Sequence, residues 1–207
     1  MEKITLDTIT SKNNQIIKDT KRLLTSSKLR RQQNAFVLEG ARLCFDVLNS
    51  VYKVKTLLFT EAIFNKYPEK VKQLSASSIA SYLITDDVAA KLGETSTSQG
   101  IFAVCEMSDL SKGICGDKII ALDNVQDPSN VGAIIRTAEA LGIDCIIAYK
   151  CCDIFNSKAL RASMGSILRM NVVDIDNLVD TLSSLKEKYS IYSTVPDSTA
   201  VNITTLD

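Results

Sequence analysis

The chain has 207 residues, 24 of them basic and 24 acidic, so it carries no formal net charge and no overall basic field to steer it to a polyanion. Hydrophobic residues make up 45% and charged residues 23%, the usage of a globular protein with a real core, at a length that suits one large domain or two small ones. Histidine is absent, which excludes Ser-His-Asp and Cys-His catalysis, HExxH zinc sites and any imidazole base.

From Asn13 to Leu24, the residues Ile16, Ile17, Leu23 and Leu24 recur at helical spacing and predict a helix with basic residues mostly on its other face. Ala35–Leu38 reads as a short strand, and Gly40 turns the chain into a helix through Leu43, Val47 and Leu48. Val54–Phe59 is a strand, Pro68–Leu74 a short helix opened by its proline, and Tyr82–Ile84 another strand. Thr85 caps a helix over Asp86–Leu92, and Ile101–Cys105 closes the region as a strand. Alternating strands and helices make this half a small α/β unit. Ser108–Gly116, rich in Gly and Ser and without period, reads as a linker. Beyond it, strands are predicted at Lys118–Leu122, Cys145–Tyr149, Met170–Val173 and Ile191–Val195. Helices are predicted at Val131–Leu141, Asn156–Leu168 and Leu178–Lys188. Strands dense in Ile, Val and Ala that alternate with helices imply a parallel sheet covered on both sides.

Six cysteines (Cys44, Cys105, Cys115, Cys145, Cys151, Cys152) show no CxxC spacing, which speaks against a zinc cluster and a secreted disulfide scaffold, and no metal is expected. The first residues lack the apolar core of a signal peptide, and no run of ~18 apolar residues occurs, so the expectation is a reduced, cytoplasmic protein without a membrane span. Charge is uneven along the chain. Residues 1–110 carry 15 basic and 12 acidic side chains, residues 111–207 carry 9 and 12. Near the N-terminus Lys18, Lys21, Arg22, Lys28, Arg30 and Arg31 face only Asp19, which reads either as a solvated helix face or as a surface that contacts phosphates.

Ligands of parallel sheets bind beyond the carboxyl ends of the strands. The turn after Lys118–Leu122 is Asp123-Asn-Val-Gln-Asp-Pro-Ser-Asn130, followed by Val131-Gly-Ala-Ile-Ile-Arg-Thr-Ala138. Asn130 or Ser129 can cap the helix, and Gly132 admits another backbone against its first turn. Arg136, among Ile134, Ile135 and Ala138, either snorkels along apolar surface or reaches a phosphate or carboxylate. No G-x-G-x-x-G or P-loop motif is present, so neither a dinucleotide fold nor an NTPase is supported.

The segment Asn124–Ala138 resembles the first signature motif of the SpoU family of RNA 2′-O-ribose methyltransferases, in the SPOUT (α/β-knot) superfamily. Lys158–Ile167 resembles the family's second motif. Ile9–Asn13, Phe36–Gly40 with Arg42, and Thr97–Gly100 resemble its substrate-binding domain, of ribosomal-protein-L30e-like fold. The resemblance implies an α/β protein with an L30e-like domain over residues 1–107, a linker over 108–116 and a parallel-sheet SPOUT methyltransferase domain over 117–207. It also implies S-adenosylmethionine as cofactor, ribosomal or transfer RNA as partner and substrate, and a homodimer. Carried over, the catalytic residues are Arg136, with Asn130 positioning the site. Arg161 and Ser163 of the second motif fall among the substrate contacts. Lys18, Lys21, Arg22, Arg30, Arg31 and Arg42 are the expected RNA contacts of the first domain. The family's third motif, Gly-Asn/Ser-Glu-x-x-Gly followed by Ser-Leu-Asn-Val-Ser, has no counterpart before Asp207, so the expectation is a knot incomplete in this chain, with the cofactor residues unassigned. The alternative reading is a non-catalytic RNA-binding fragment of that family.

Overall fold

Two sheets organise the computed structural model, which describes residues 7–94, 98–107 and 113–194 and positions 197, 200, 201 and 205. The first is built from β1 (Thr8–Ile9), β2 (Ala35–Glu39), β3 (Val54–Phe59), β4 (Ser78–Ile84) and β5 (Ile101–Glu106), in the order β1-β4-β3-β5-β2. The β1, β4 and β3 strands run parallel, whereas β5 runs antiparallel to both β3 and β2. Side chains alternate across this sheet with the period of two that a strand imposes. Phe36, Leu38, Ile101, Ala103 and Cys105 enter one apolar cluster, and Ala35, Val37, Phe102 and Val104 enter the other.

Six helices cover this sheet: α1 (Gln15–Thr25), α2 (Ser27–Gln33), α3 (Ala41–Asp46), α4 (Glu61–Lys66), α5 (Pro68–Ala76) and α6 (Asp86–Leu92). Asn14 caps α1 by accepting the Ile16 amide at 2.8 Å, and Ile17, Leu23 and Leu24 form its buried stripe. Thr85 caps α6 by accepting the Val88 amide. The α2 and α4 helices lie outside the helices predicted from apolar periodicity. Each has a single buried residue, and each starts from a hydroxyl cap, Ser26 and Thr60.

The second sheet holds β6 (Ile119–Asp123), β7 (Cys145–Tyr149) and β8 (Asn171–Ile175), all parallel, in the order β6-β7-β8. Its helices are α7 (Pro128–Ala140), α8 (Ser157–Ala162) and α9 (Leu178–Leu185). The helix predicted over Asn156–Leu168 is broken. Met164 and Gly165 take left-handed φ values of +54° and +94°, and the chain resumes as a single 3-10 turn at Ser166–Leu168. The strand predicted at Ile191–Val195 is absent from 191–194, which form neither helix nor strand, and Val195 lies outside the described residues. Of the predicted linker, 108–112 lie outside the described residues, and Gly113 and Gly116 both take positive φ.

One apolar cluster runs through both sheets, joining Phe36, Leu57 and Ile101 to Leu122, Ile135, Ile146 and Leu160. Phe36 and Phe155 stack across the junction with ring centroids 4.4 Å apart. Ile135 is fully buried there on α7. Ile135→Ala is expected to lower stability by about 2–5 kcal/mol, read as a reduced denaturant midpoint with an unchanged slope.

Candidate active site

At the carboxyl ends of β6 and β7 the chain makes two left-handed turns, at Asn124 (φ +56°) and Lys150 (φ +49°). Gln126 ties them together. Its Nε2 donates to Asn124 Oδ1 at 2.8 Å and to the Lys150 carbonyl at 2.5 Å. The α7 helix follows. Its cap is Asp127, which accepts the Ser129 amide at 2.7 Å and the Asn130 amide at 3.4 Å. This corrects the expectation of Asn130 or Ser129 as cap. Pro128 occupies the first helical position, so the cap falls one residue before it. Asn130 is thereby freed: it lies exposed in the first turn, and its side chain makes no hydrogen bond among the described residues.

Gly132 sits where α7 meets α8. A Cβ at this position would lie 2.8 Å from Ala162 Cβ and 2.9 Å from the Ser163 amide nitrogen, and would also strike the Ala159 carbonyl. The two motifs are therefore in backbone contact. Arg136 follows one turn later. At about 100° per residue it projects from α7 about 40° round from Gly132 and about 60° from Glu139. Glu139 in turn holds Arg169, just past the 3-10 turn, at 2.5 and 2.9 Å. Arg136 thus leaves the same face of α7 that packs on the second motif. It is exposed, with no ion pair or hydrogen bond among the described residues.

In the second motif, Arg161 Nη1 stands 3.8 Å from Glu39 Oε2, at the end of β2, and that nitrogen is buried with no hydrogen-bond partner. Ser163 takes a different role from the substrate contact expected of it. It is fully buried, donates to the Leu160 carbonyl at 2.8 Å and accepts the Gly165 amide at 3.3 Å, so it shapes the turn.

The basic stretch divides. Arg30 is corrected from an RNA contact to an internal one. Only 2% exposed, it donates to Asp153 at 2.7 Å and to the Leu23 and Leu24 carbonyls at 2.5 and 3.0 Å. Lys21 is half-buried and donates to the Leu92 and Gly93 carbonyls at 2.9 and 3.2 Å, at the end of α6. Lys18, Arg22, Arg31 and Arg42 are exposed, Arg22 with Asp19 3.7 Å away.

Three residues beside the second motif had no assigned role in the sequence: Glu39, Glu94 and Gln99. Glu39 Oε2 accepts the Glu94 amide at 3.2 Å, the Ser157 hydroxyl donates to Glu94, and Gln99 Oε1 accepts the Ala41 amide at 2.7 Å. The signal for Glu39 and Gln99 was their place beside Gly40 and Gly100 in the segments Phe36–Gly40 and Thr97–Gly100. Thr97 itself lies outside the described residues.

Burial raises the Cys152 thiol to about 11, with the neighbouring Cys151 adding to the effect, and burial also pushes Cys44 and Cys105 up.

A parallel sheet joined to a mixed one, with two motif helices in backbone contact at its rim, is the fold of the methyltransferases of the SPOUT class whose solved structures this chain matches. An AdoMet-bound rRNA methyltransferase from Sinorhizobium meliloti matches with a TM-score of 0.74 and 28% identity, over 87% of this chain and 69% of that one. Residues 117–207 match the SpoU rRNA Methylase family, and residues 14–103 match the MRM3-like substrate binding domain. The 23S rRNA (guanosine(2553)-2′-O)-methyltransferase RlmP of Bacillus subtilis is 35% identical, over 90% of this chain and 72% of that protein. An uncharacterized tRNA/rRNA methyltransferase of Synechocystis (slr1673) is 32% identical, over 92% of this chain and 71% of that protein. The chain belongs to the SpoU rRNA methylase family, a family of RNA methyltransferases. A non-catalytic fragment finds no support among these relatives, which are named as methyltransferases.

The Arg169 guanidinium holds the Glu139 carboxyl below the usual carboxylate range. A depressed folded-state pKa contributes stability above the unfolded value, and that contribution is lost as pH falls through the folded value. Glu139→Gln is therefore expected to lower Tm at neutral pH. The gap to wild type should close as pH drops below about 4, which thermal scans at a series of pH values would follow.

Proposed function

We propose that this protein transfers a methyl group from S-adenosylmethionine to a ribose 2′-hydroxyl of ribosomal or transfer RNA. The observation that carries the proposal is Arg136: a guanidinium with no partner among the described residues, on the α7 face that packs against the second motif. The RlmP relative, named for 2′-O methylation of 23S rRNA, supports ribosomal RNA as the substrate and the ribose oxygen as acceptor.

The carboxyl ends of β6 and β7 fit a polar, carboxylate-bearing cofactor. The left-handed turns at Asn124 and Lys150 stand at these strand ends, where ligands of parallel sheets bind, and the Lys150 side chain adds a cation. When bound, the cofactor would supply an activated methyl on sulfur; its passage to the oxygen would leave a neutral thioether, the hydroxyl proton passing to solvent water. The chain's own task is alignment and charge. Arg136 holds a substrate phosphate and keeps positive charge beside the hydroxyl as its proton leaves. Asn130, one turn earlier on α7, orients the sugar with its unengaged amide. No imidazole is required, because a guanidinium stays charged at every working pH. Assembly as a homodimer in a reducing cytoplasm belongs to the same proposal, and all six cysteines are unpaired.

Arg136→Ala is expected to reduce methyl transfer from radiolabelled S-adenosylmethionine to unmodified 23S rRNA by at least about 10²–10³-fold. Cofactor affinity, read by calorimetry, should stay near the wild-type value. Turnover at the wild-type rate would remove Arg136 from the mechanism.

A further inference from the structure

Two cysteines meet where the segment entering β6 lies against the start of β7. Cys145, the first residue of β7, is fully buried, and its register partners are Ile119 on β6 and Asn171 on β8. Cys115 stands just ahead of β6 and is half-buried. Asn171 Nδ2 lies 3.4 Å from Cys145 Sγ and 3.6 Å from Cys115 Sγ, so both sulfurs flank one amide group. The Cys115 amide also donates to the Cys145 sulfur, which brings the backbone of one cysteine against the side chain of the other.

The segment carrying Cys115 is held in place. Asn171 donates to the Gly113 carbonyl at 2.9 Å, and the Tyr189 hydroxyl donates to the Gly116 carbonyl at 2.7 Å. Asp144, which precedes Cys145, accepts the Asp117 and Lys118 amides at 2.9 and 3.0 Å. Gly116 has a φ of +99°, and a Cβ there would strike the Asp144 side chain, so only glycine lets the segment lie this close. The two thiols differ in access. Cys145 is sealed, and burial pushes its pKa up. Cys115 is partly exposed, and the Lys188 ammonium, shared with Asp117, interacts with it. Partial exposure beside a cation is the setting of an oxidisable cysteine, and a second thiol next to it is placed to resolve the oxidised sulfur.

We propose that Cys115 and Cys145 form an oxidation site that hydrogen peroxide converts to a disulfide. The Cys115 sulfur attacks the O–O bond and becomes a sulfenic acid, while the other oxygen leaves as water with the Cys115 proton. The Cys145 sulfur then displaces the hydroxyl from Cys115. The S–O bond breaks, the S–S bond forms, and the Cys145 proton leaves with the oxygen as a second water. Irregular backbone flanked by Gly113 and Gly116, both at positive φ, lets Cys115 reach the Cβ separation of about 3.5–4.5 Å that the bond requires. The bond closes a loop over 115–145, which contains β6, the left-handed turn at Asn124 and all of α7 with Asn130 and Arg136. Oxidation thus ties the first motif at both ends, and a dithiol reductant reopens it. All six cysteines are unpaired in the structure, which is therefore the reduced form. The pairing needs nothing from the proposed methyl transfer.

The test treats the full chain with hydrogen peroxide, alkylates the remaining thiols in denaturant and maps tryptic peptides by mass spectrometry. Trypsin places Cys115 in the peptide 113–118, Cys145 in 137–150, and the vicinal Cys151 and Cys152 in 151–158, so each pairing has its own signature. The expected product links 113–118 to 137–150, reverts with dithiothreitol, and melts about 5–10 °C above the reduced protein. Cys115→Ser should abolish both the link and the rise in Tm while leaving Cys145 open to alkylation. This variant replaces a partly exposed residue, so it carries the test if Cys145→Ser, at the sealed position, fails to fold. Two thiols still alkylated after peroxide would overturn the proposal. So would a Cys151–Cys152 link with Cys115 free, a link between two chains through Cys115, or Cys115 ending as a sulfinic acid beside a reduced Cys145. A 115–145 link that leaves Tm at or below the reduced value would overturn it as well, because the bond would then form only in a distorted chain.

Discussion

The contact between α7 and α8 depends on a hydrogen atom standing where a side chain would be. A glycine inside a helix costs about 1 kcal/mol relative to alanine, and position 132 lies one turn into α7. What the glycine permits outweighs that cost. The Ala159 carbonyl and Ser163 amide of α8 approach so closely that a single added carbon would displace them. Moving α8 outward would carry Arg161 away from Glu39 and undo the turn that Ser163 closes onto Gly165. It would also separate the Arg136 face of α7 from the second motif. The Arg161–Glu39 pair and the candidate catalytic guanidinium therefore share one steric condition.

The relation between the halves is fixed by a second device, made of charge. Arg30, on α2, lays its guanidinium at the C-terminal end of α1, where it satisfies the Leu23 and Leu24 carbonyls, and it reaches across to Asp153 in the β7–α8 connection. A cation among the last carbonyls of a helix suits the dipole, but burying the ion pair offsets much of that gain. The value of such a pair lies in geometry. Deleting one partner strands the other in a site with 2% exposure, at a cost of about 3–5 kcal/mol, so alternative docking of the halves is penalised strongly. Apolar packing of Phe36 on Phe155 is less directional and tolerates sliding. The ion pair defines the register within which that packing occurs.

Much of this was legible in the sequence, and the exceptions share a cause. Strands Val54–Phe59 and Cys145–Tyr149 and the Thr85 cap follow from patterns confined to a few neighbouring residues. The Asp127 cap was equally local, since a proline in the first helical position points to the residue before it. Gly165 likewise marked the end of α8 in the middle of a run that otherwise reads as helix. Arg30 is different. Within a run of basic residues it is indistinguishable from its exposed neighbour Arg31, and its charge partner, Asp153, lies more than a hundred positions away. The same holds for Ser163, whose burial depends on α7, and for Glu39, whose role appears only when α8 arrives beside β2. Motif residues announced the chemistry, while the residues that orient it were set by contacts between segments far apart in sequence.

A chain of zero net charge must find a polyanion without a global field, and the distribution of unsatisfied donors supplies an alternative. A buried donor without a partner costs about 1–3 kcal/mol in the free protein, and Arg161 Nη1 is such an atom. That atom is out of reach of an incoming anion, whereas the exposed Arg136 guanidinium, without a partner among the described residues, is open to a phosphate oxygen, and a distant anion gains only a weak, screened interaction. Attraction therefore depends on position: an anion that reaches an exposed guanidinium is rewarded, and one that only approaches the neutral surface is not. Because these donors belong to guanidiniums, the preference persists across the physiological pH range, as suits a protein whose sequence contains no histidine to switch.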